Sequence, residues 1–204
     1  VTPLEYKTGT LKYYLNGVLQ AAPTVTAGPP MVVTGISVPA GGNALLVYQT
    51  RTNDYAPRAL EASIVNNASI TGGALPAAVT ATATISAASD PCLSINKALA
   101  PASVPQNGQI TYTFLIENYG NRAAEATDAA VVTDVFSPIL QDISVSYNGT
   151  AWVAGTDYTY DAATGQFATV AGKVTVPAAT YTQDPTTGVW TTTPGASTLT
   201  VTGT

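Results

Sequence analysis

Three residues in this sequence, with a fourth as an alternative acid, have the types to do covalent chemistry together. Lys97 shares strand parity with Leu93 and Ile95, so it points toward a core. A core-facing ammonium needs a partner or a lowered pKa. Asn66 shares parity with Ile64, Ala68 and Ile70, and Asp134 shares parity with Val132. An amine, a carboxamide and a carboxylic acid brought together can condense to an isopeptide bond, within one chain or between two. Lys97 and Asn66 are the candidate pair, with Asp134 or Glu117 as the acid. The simpler reading ends the strand at Lys97 and lets its ammonium snorkel to solvent.

Other candidates are weaker. Trp152, Trp190, Tyr158, Tyr160 and Tyr181 fall in one aromatic-rich region, where exposed rings would stack on sugars and packed rings would pair across a hairpin. Cys92, beside Pro91, could bridge to another molecule or stay an idle thiol. Asp157, Asp161 and Asp184 lie in turns whose spacing fits no calcium loop, so turn capping is expected and no metal or other cofactor is called for. Asn67-Ala68-Ser69 and Asn148-Gly149-Thr150 have the form of glycosylation sequons.

Composition removes most enzyme classes. Among 204 residues there is no histidine, one cysteine and one methionine. Without histidine there is no Ser-His-Asp triad, no Cys-His pair and no imidazole metal site. A single cysteine excludes an intrachain disulfide and a thiolate zinc cluster. Seven Lys+Arg against twelve Asp+Glu leave net charge −5 and no basic footprint for nucleic acid. No apolar run approaches the roughly 18 residues of a membrane span, so no membrane insertion is expected. Nothing points to an enzyme, and the expected role is structural.

The elements that must position these residues are strands. Threonine alternates with valine, isoleucine, tyrosine and alanine, as in Val79–Ile85, Gln109–Ile116 and Leu199–Thr202. Turn signals recur at short intervals: Asn16-Gly17, Gly41-Gly42, Gly72-Gly73, Asn107-Gly108, Asn148-Gly149, Gly165 and Gly188. The longest helical candidate, Asn121 to Val132, is alanine-rich but lacks an amphipathic stripe. Many short strands with regular turns predict a β-sandwich.

An internal repeat divides the chain. Leu15-Asn16-Gly17-Val18 matches Tyr147-Asn148-Gly149-Thr150, and Val32–Ile36 matches Thr200–Thr204, with a hairpin-rich insert around 181–195 in the second copy. On this alignment 1–88 is the rear of one module, and 89–204 is the front of a second that lacks its last strands. Such modules expose apolar grooves and strand edges that invite β-augmentation. The deficits are complementary: strands of 36–88 could complete 89–204 in the same chain, as a permuted module, or in a neighbouring molecule, and the second case gives a self-associating chain.

Leu93-Ser94-Ile95-Asn96-Lys97, the stretch Pro101–Asn121 and Val131–Leu140 together resemble the repeat called domain of unknown function 11. The elements that carry the likeness are Lys97, Gly108, Tyr112, Asn118, Gly120, Thr133 and Asp134. The match covers 92–141, and Pro39–Gly73 resembles that family's closing strands. The resemblance implies tandem immunoglobulin-like β-sandwich modules of Greek-key type on secreted bacterial surface proteins, with no catalytic residues. The expectation is therefore an all-β, non-enzymatic, extracellular protein of the bacterial cell surface. It would be a subunit of a fibre or array, with itself as partner through strand addition. An adhesin that binds a glycan, or a plain stalk repeat, are the other roles such a protein could have.

Overall fold

β-branched and aromatic residues alternating with threonine put one face of a segment against a core and leave the other in water. The chain is accordingly all-β. The computed structural model describes residues 2–73 and 75–204. Among them the sole helical turn is Ala126–Asp128, inside the alanine-rich stretch. The residues group into two compact units. The first comprises the chain up to Arg58, Ala62–Ser86 and Gln183–Thr191; the second comprises Ala59–Glu61, Ala87–Thr182 and Thr192–Thr204.

The first part of the chain forms β1 (Leu4–Tyr6), β2 (Lys12–Leu15), β3 (Val18–Leu19), β4 (Thr24–Thr26), β5 (Val32–Thr34), β6 (Ala44–Val47), β7 (Thr50–Thr52), β8 (Ser63–Ile70) and β9 (Val79–Ser86). These make small antiparallel sheets: β1 with β7, β3-β2-β6 in that order, β4 with β5, and β8 with β9. The described buried side chains here are few: Leu11, Tyr13, Ala56 and Ile64. In the β8–β9 hairpin all residues but Ile64 are exposed. Its register sets Ile64 opposite Ile85, Asn66 opposite Ala83, Ala68 opposite Ala81 and Ile70 opposite Val79. One face of the hairpin is thus apolar except for Asn66. The other face carries Ser, Thr and Asn with Val65.

The rest of the chain forms β10 (Leu93–Ala100), β11 (Ile110–Asn118), β12 (Thr133–Val135), β13 (Ser144–Tyr147), β14 (Thr150–Ala151), β15 (Tyr158–Asp161), β16 (Gln166–Thr169), β17 (Thr180–Gln183), β18 (Trp190–Thr193) and β19 (Gly195–Gly203). A five-stranded sheet, β10-β11-β19-β13-β14, packs on a three-stranded sheet, β12-β16-β15. Between them lies one core of Tyr112, Phe114, Ile116, Val145, Tyr147, Leu199 and Val201 from the first sheet, with Tyr158 and Phe167 from the second. Phe136, Leu140, Val174 and Val176 complete it from the connections. The result is a two-layer sandwich.

The two Asn-Gly hairpins share one geometry. Asn16-Gly17 and Asn148-Gly149 both take positive φ at both positions, the geometry that joins twisted strands in two residues. Asn16 Oδ1 accepts the backbone N–H of Asn43, and Asn148 Oδ1 accepts that of Thr198, both at 2.8 Å. The second anchor needs correction. β2 pairs with β6, setting Tyr13 opposite Leu46, and β13 pairs with β19, setting Val145 opposite Val201. The counterpart of β19 is therefore β6, not Val32–Ile36, which lies largely in a separate hairpin with β4. Backbone pairing defines this equivalence, and the side chains do not repeat with it.

Candidate functional site

Cross-strand register fixes where Lys97 points. It stands opposite Phe114 on β11, a core residue, in one row with Leu93, Ile95 and Leu99. Its ammonium lies 4.6 Å from the centre of the Tyr112 ring, 5.4 Å from Phe136 and 5.6 Å from Phe114. Rings at this range attract a cation through their negative faces. The ammonium also pairs with Asp134 Oδ2. Asp134 stands opposite the core residue Phe167 on β12, so its carboxylate is aimed inward. Oδ1 accepts the N–H of Val135 at 2.9 Å. Oδ2 is buried and receives no hydrogen bond of good geometry, so its partner is the Lys97 charge alone.

The pair sits where the sandwich stays open. β12 is bonded to β16 on one side and β10 to β11 on one side; no other described strand pairs with either. The inward row of β10 is consequently wet: Leu93 is 41% exposed, Ile95 51% and Leu99 46%. Apolar side chains on the core face of a sheet are normally covered, so this row and the β12 edge together form an unfinished groove.

Glu117 stands opposite Ser94 on the other face of the same sheet, where it accepts a weak bond from Asn96 Nδ2 at 3.4 Å. Asp134 is therefore the carboxylate beside Lys97, and Glu117 is not. Asn66 is on β8 in the first unit, within the apolar face of that hairpin. Asn118, on the Lys97 face of β11, is fully buried and fully used: Oδ1 accepts from Cys92 N and Gly120 N, and Nδ2 donates to Arg122 O. Cys92 is an exposed free thiol.

The aromatic candidates do not form one patch. Alternation along β15 turns Tyr158 onto Phe167 and Tyr160 toward Phe136, with the Tyr160 hydroxyl donating to Leu140 O. Trp152 stacks on Tyr147 at 4.8 Å against the same core. Burial pushes the Tyr147 and Tyr158 hydroxyls above their ordinary pKa. Tyr181 donates to Tyr119 O in the second unit, while Trp190 groups with the first unit, where its backbone N–H donates to Asp54 O and its indole Nε1 is buried without a hydrogen-bond partner among the described residues. Tyr158, Tyr160 and Trp152 thus serve packing of the sandwich core.

The turn aspartates cap their own turns. Asp157 accepts the Val153 N–H and pairs with Lys173. Asp161 accepts from the Thr164 hydroxyl and Ala163 N–H, and Asp184 from the Thr187 and Thr186 N–H groups. These donors hold all three below the ordinary carboxylate pKa. No cluster of three or more potential metal ligands occurs among the described residues.

Sequence reasoning missed the ring cage around Lys97 and the openness of the groove. Tyr112 and Phe114 were readable as core-facing by parity with Ile110 and Ile116, and Phe136, just past the end of β12, by parity with Val132 and Asp134; the register that brings all three rings to Lys97 was not. No protein-family model, curated protein or solved structure matches the chain.

Proposed function

We propose that this chain is a non-enzymatic structural protein of the bacterial cell surface, assembling with copies of itself by strand addition. The groove between β10 and the β12 edge carries this reading. Three large aliphatic side chains face inward there and remain about half exposed. Covering them is worth on the order of 3 kcal/mol, before any main-chain hydrogen bonds to β12 are counted. The β8–β9 hairpin is the matching part: an apolar face that is exposed at every position except the buried Ile64. A groove on one copy and a hairpin on the next make a head-to-tail contact, which does not close and so builds filaments. The resemblance to domain of unknown function 11 repeats supports tandem immunoglobulin-like modules and an extracellular location. The scarcity of charge, 9% of residues, leaves flat strands that pair readily.

Light scattering over a concentration series, with negative-stain microscopy, tests this. The wild-type chain should grow with concentration and give fibres or sheets. Ile95→Asp should remain monomeric while melting within a few degrees of wild type, because Ile95 is already half exposed. A monodisperse wild-type monomer at high concentration would leave only a spacer role.

A further inference from the structure

We propose that Lys97 and Asp134 form an amide-forming centre that joins one copy of the chain covalently to Asn66 of a second copy; this rests on the strand-addition reading above. Three observations converge. Lys97 is the one charged group in the inward row of β10, otherwise Leu93, Ile95 and Leu99. Asn66 is the one polar group on the apolar face of the β8–β9 hairpin. Both β8 and β10 are eight residues long. Laid antiparallel and flush on the β10 row, β8 brings Ile64 to Leu99, Asn66 to Lys97, Ala68 to Ile95 and Ile70 to Leu93. Every inward position is then matched, and the lone carboxamide meets the lone amine beside the Asp134 carboxylate. A second copy is the occupant because it offers both parts in complementary form: its hairpin fits the groove, and its own groove stays open for the next chain. Asn118 and Asn148 of the second unit do not fit the role, since both already have their carbonyl and amide groups bonded.

The chemistry balances without a co-reactant. Docking removes water from the pair, and Asp134 takes a proton from the Lys97 ammonium. The free Nζ lone pair attacks Cγ of Asn66, while the Asp134 acid hydrogen-bonds the developing oxyanion. The tetrahedral centre collapses with cleavage of the Cγ–Nδ2 bond. Nδ2 leaves as ammonia with a proton from Nζ, and takes the Asp134 proton to depart as ammonium. One C–N bond forms, one breaks, and Asp134 ends as it began.

The test uses the full chain at concentrations where it assembles, read by boiled denaturing gels, intact mass and tryptic mapping. A ladder should survive denaturation, with each junction lighter than its summed chains by one ammonia. Trypsin should fail to cut after Lys97 and should release its peptide joined to the Asn66 peptide. Lys97→Arg and Asn66→Ala should abolish the ladder, yet light scattering should still show non-covalent assembly. Asp134→Asn should slow ladder formation by a hundredfold or more at unchanged assembly. Assemblies that dissolve wholly into unmodified monomers would overturn the amide bond and leave strand addition standing. Absence of both assembly and ammonia loss would overturn both. A Lys97–Asn66 link inside a single chain would overturn the second-copy assignment.

Discussion

At the scale of single residues, the Arg122–Asp128 ion pair carries a pH dependence. Asp128 is held at a pKa of about 2, first by hydrogen bonds from the Arg122 guanidinium and then by the Glu125 N–H. A depressed carboxylate adds stability that is present above the unfolded-state pKa near 3.8 and is lost as pH falls through the folded value. Melting curves of wild type against Asp128→Asn should therefore differ at pH 5 and converge toward pH 2. A constant gap across that window would show that the pair has no protonation-linked effect. Gly120 illustrates a steric constraint of similar locality. A Cβ there would meet Asp90 O at 2.2 Å and Cys92 N at 2.6 Å, both backbone atoms tied to the Asn118 corner. Gly120→Ala should lose about 2–4 kcal/mol in denaturant titration, through backbone displacement and exposure of Asn118. A loss under 0.5 kcal/mol would mean the corner is soft.

At the scale of elements, much was legible because strand text alternates strictly. Val79–Ile85, Gln109–Ile116 and Leu199–Thr202 all lie within strands or begin one residue outside them. The two Asn-Gly turns were readable because two successive positive φ values demand those residues. The match of Val32–Ile36 to the last strand failed for a physical reason. β6 and β19 are equivalent through main-chain bonds to the Asn-Gly hairpin, and Asn43-Ala44-Leu45-Leu46 shares no residue with Thr198-Leu199-Thr200-Val201. The aromatic patch failed for another: Tyr158 and Tyr160 have the same parity, so the strand that carries them turns both toward the core side. Lys97 and Asp134 were legible by parity alone, Glu117 was one residue out of phase, and the Phe136 ring shares the parity of Asp134, but its approach to Lys97 depends on which strands face each other across the core, which parity does not give.

At the scale of the whole molecule, the two units bury their side chains very unequally. The second holds a continuous aromatic and aliphatic core, while the described part of the first has four buried apolar side chains. Ordering a residue costs about 1–2 kcal/mol of backbone entropy, so strands without cover open easily. That makes amide hydrogen exchange, followed peptide by peptide as protein concentration rises, the most direct measurement of the central claim. Strand addition predicts that β8, β9, β10 and β12 gain protection together as the chain assembles. The interior strands β11 and β19, already paired on both sides, should not change. Exchange at β8, β9, β10 and β12 that stays the same from dilute to concentrated protein would contradict the account.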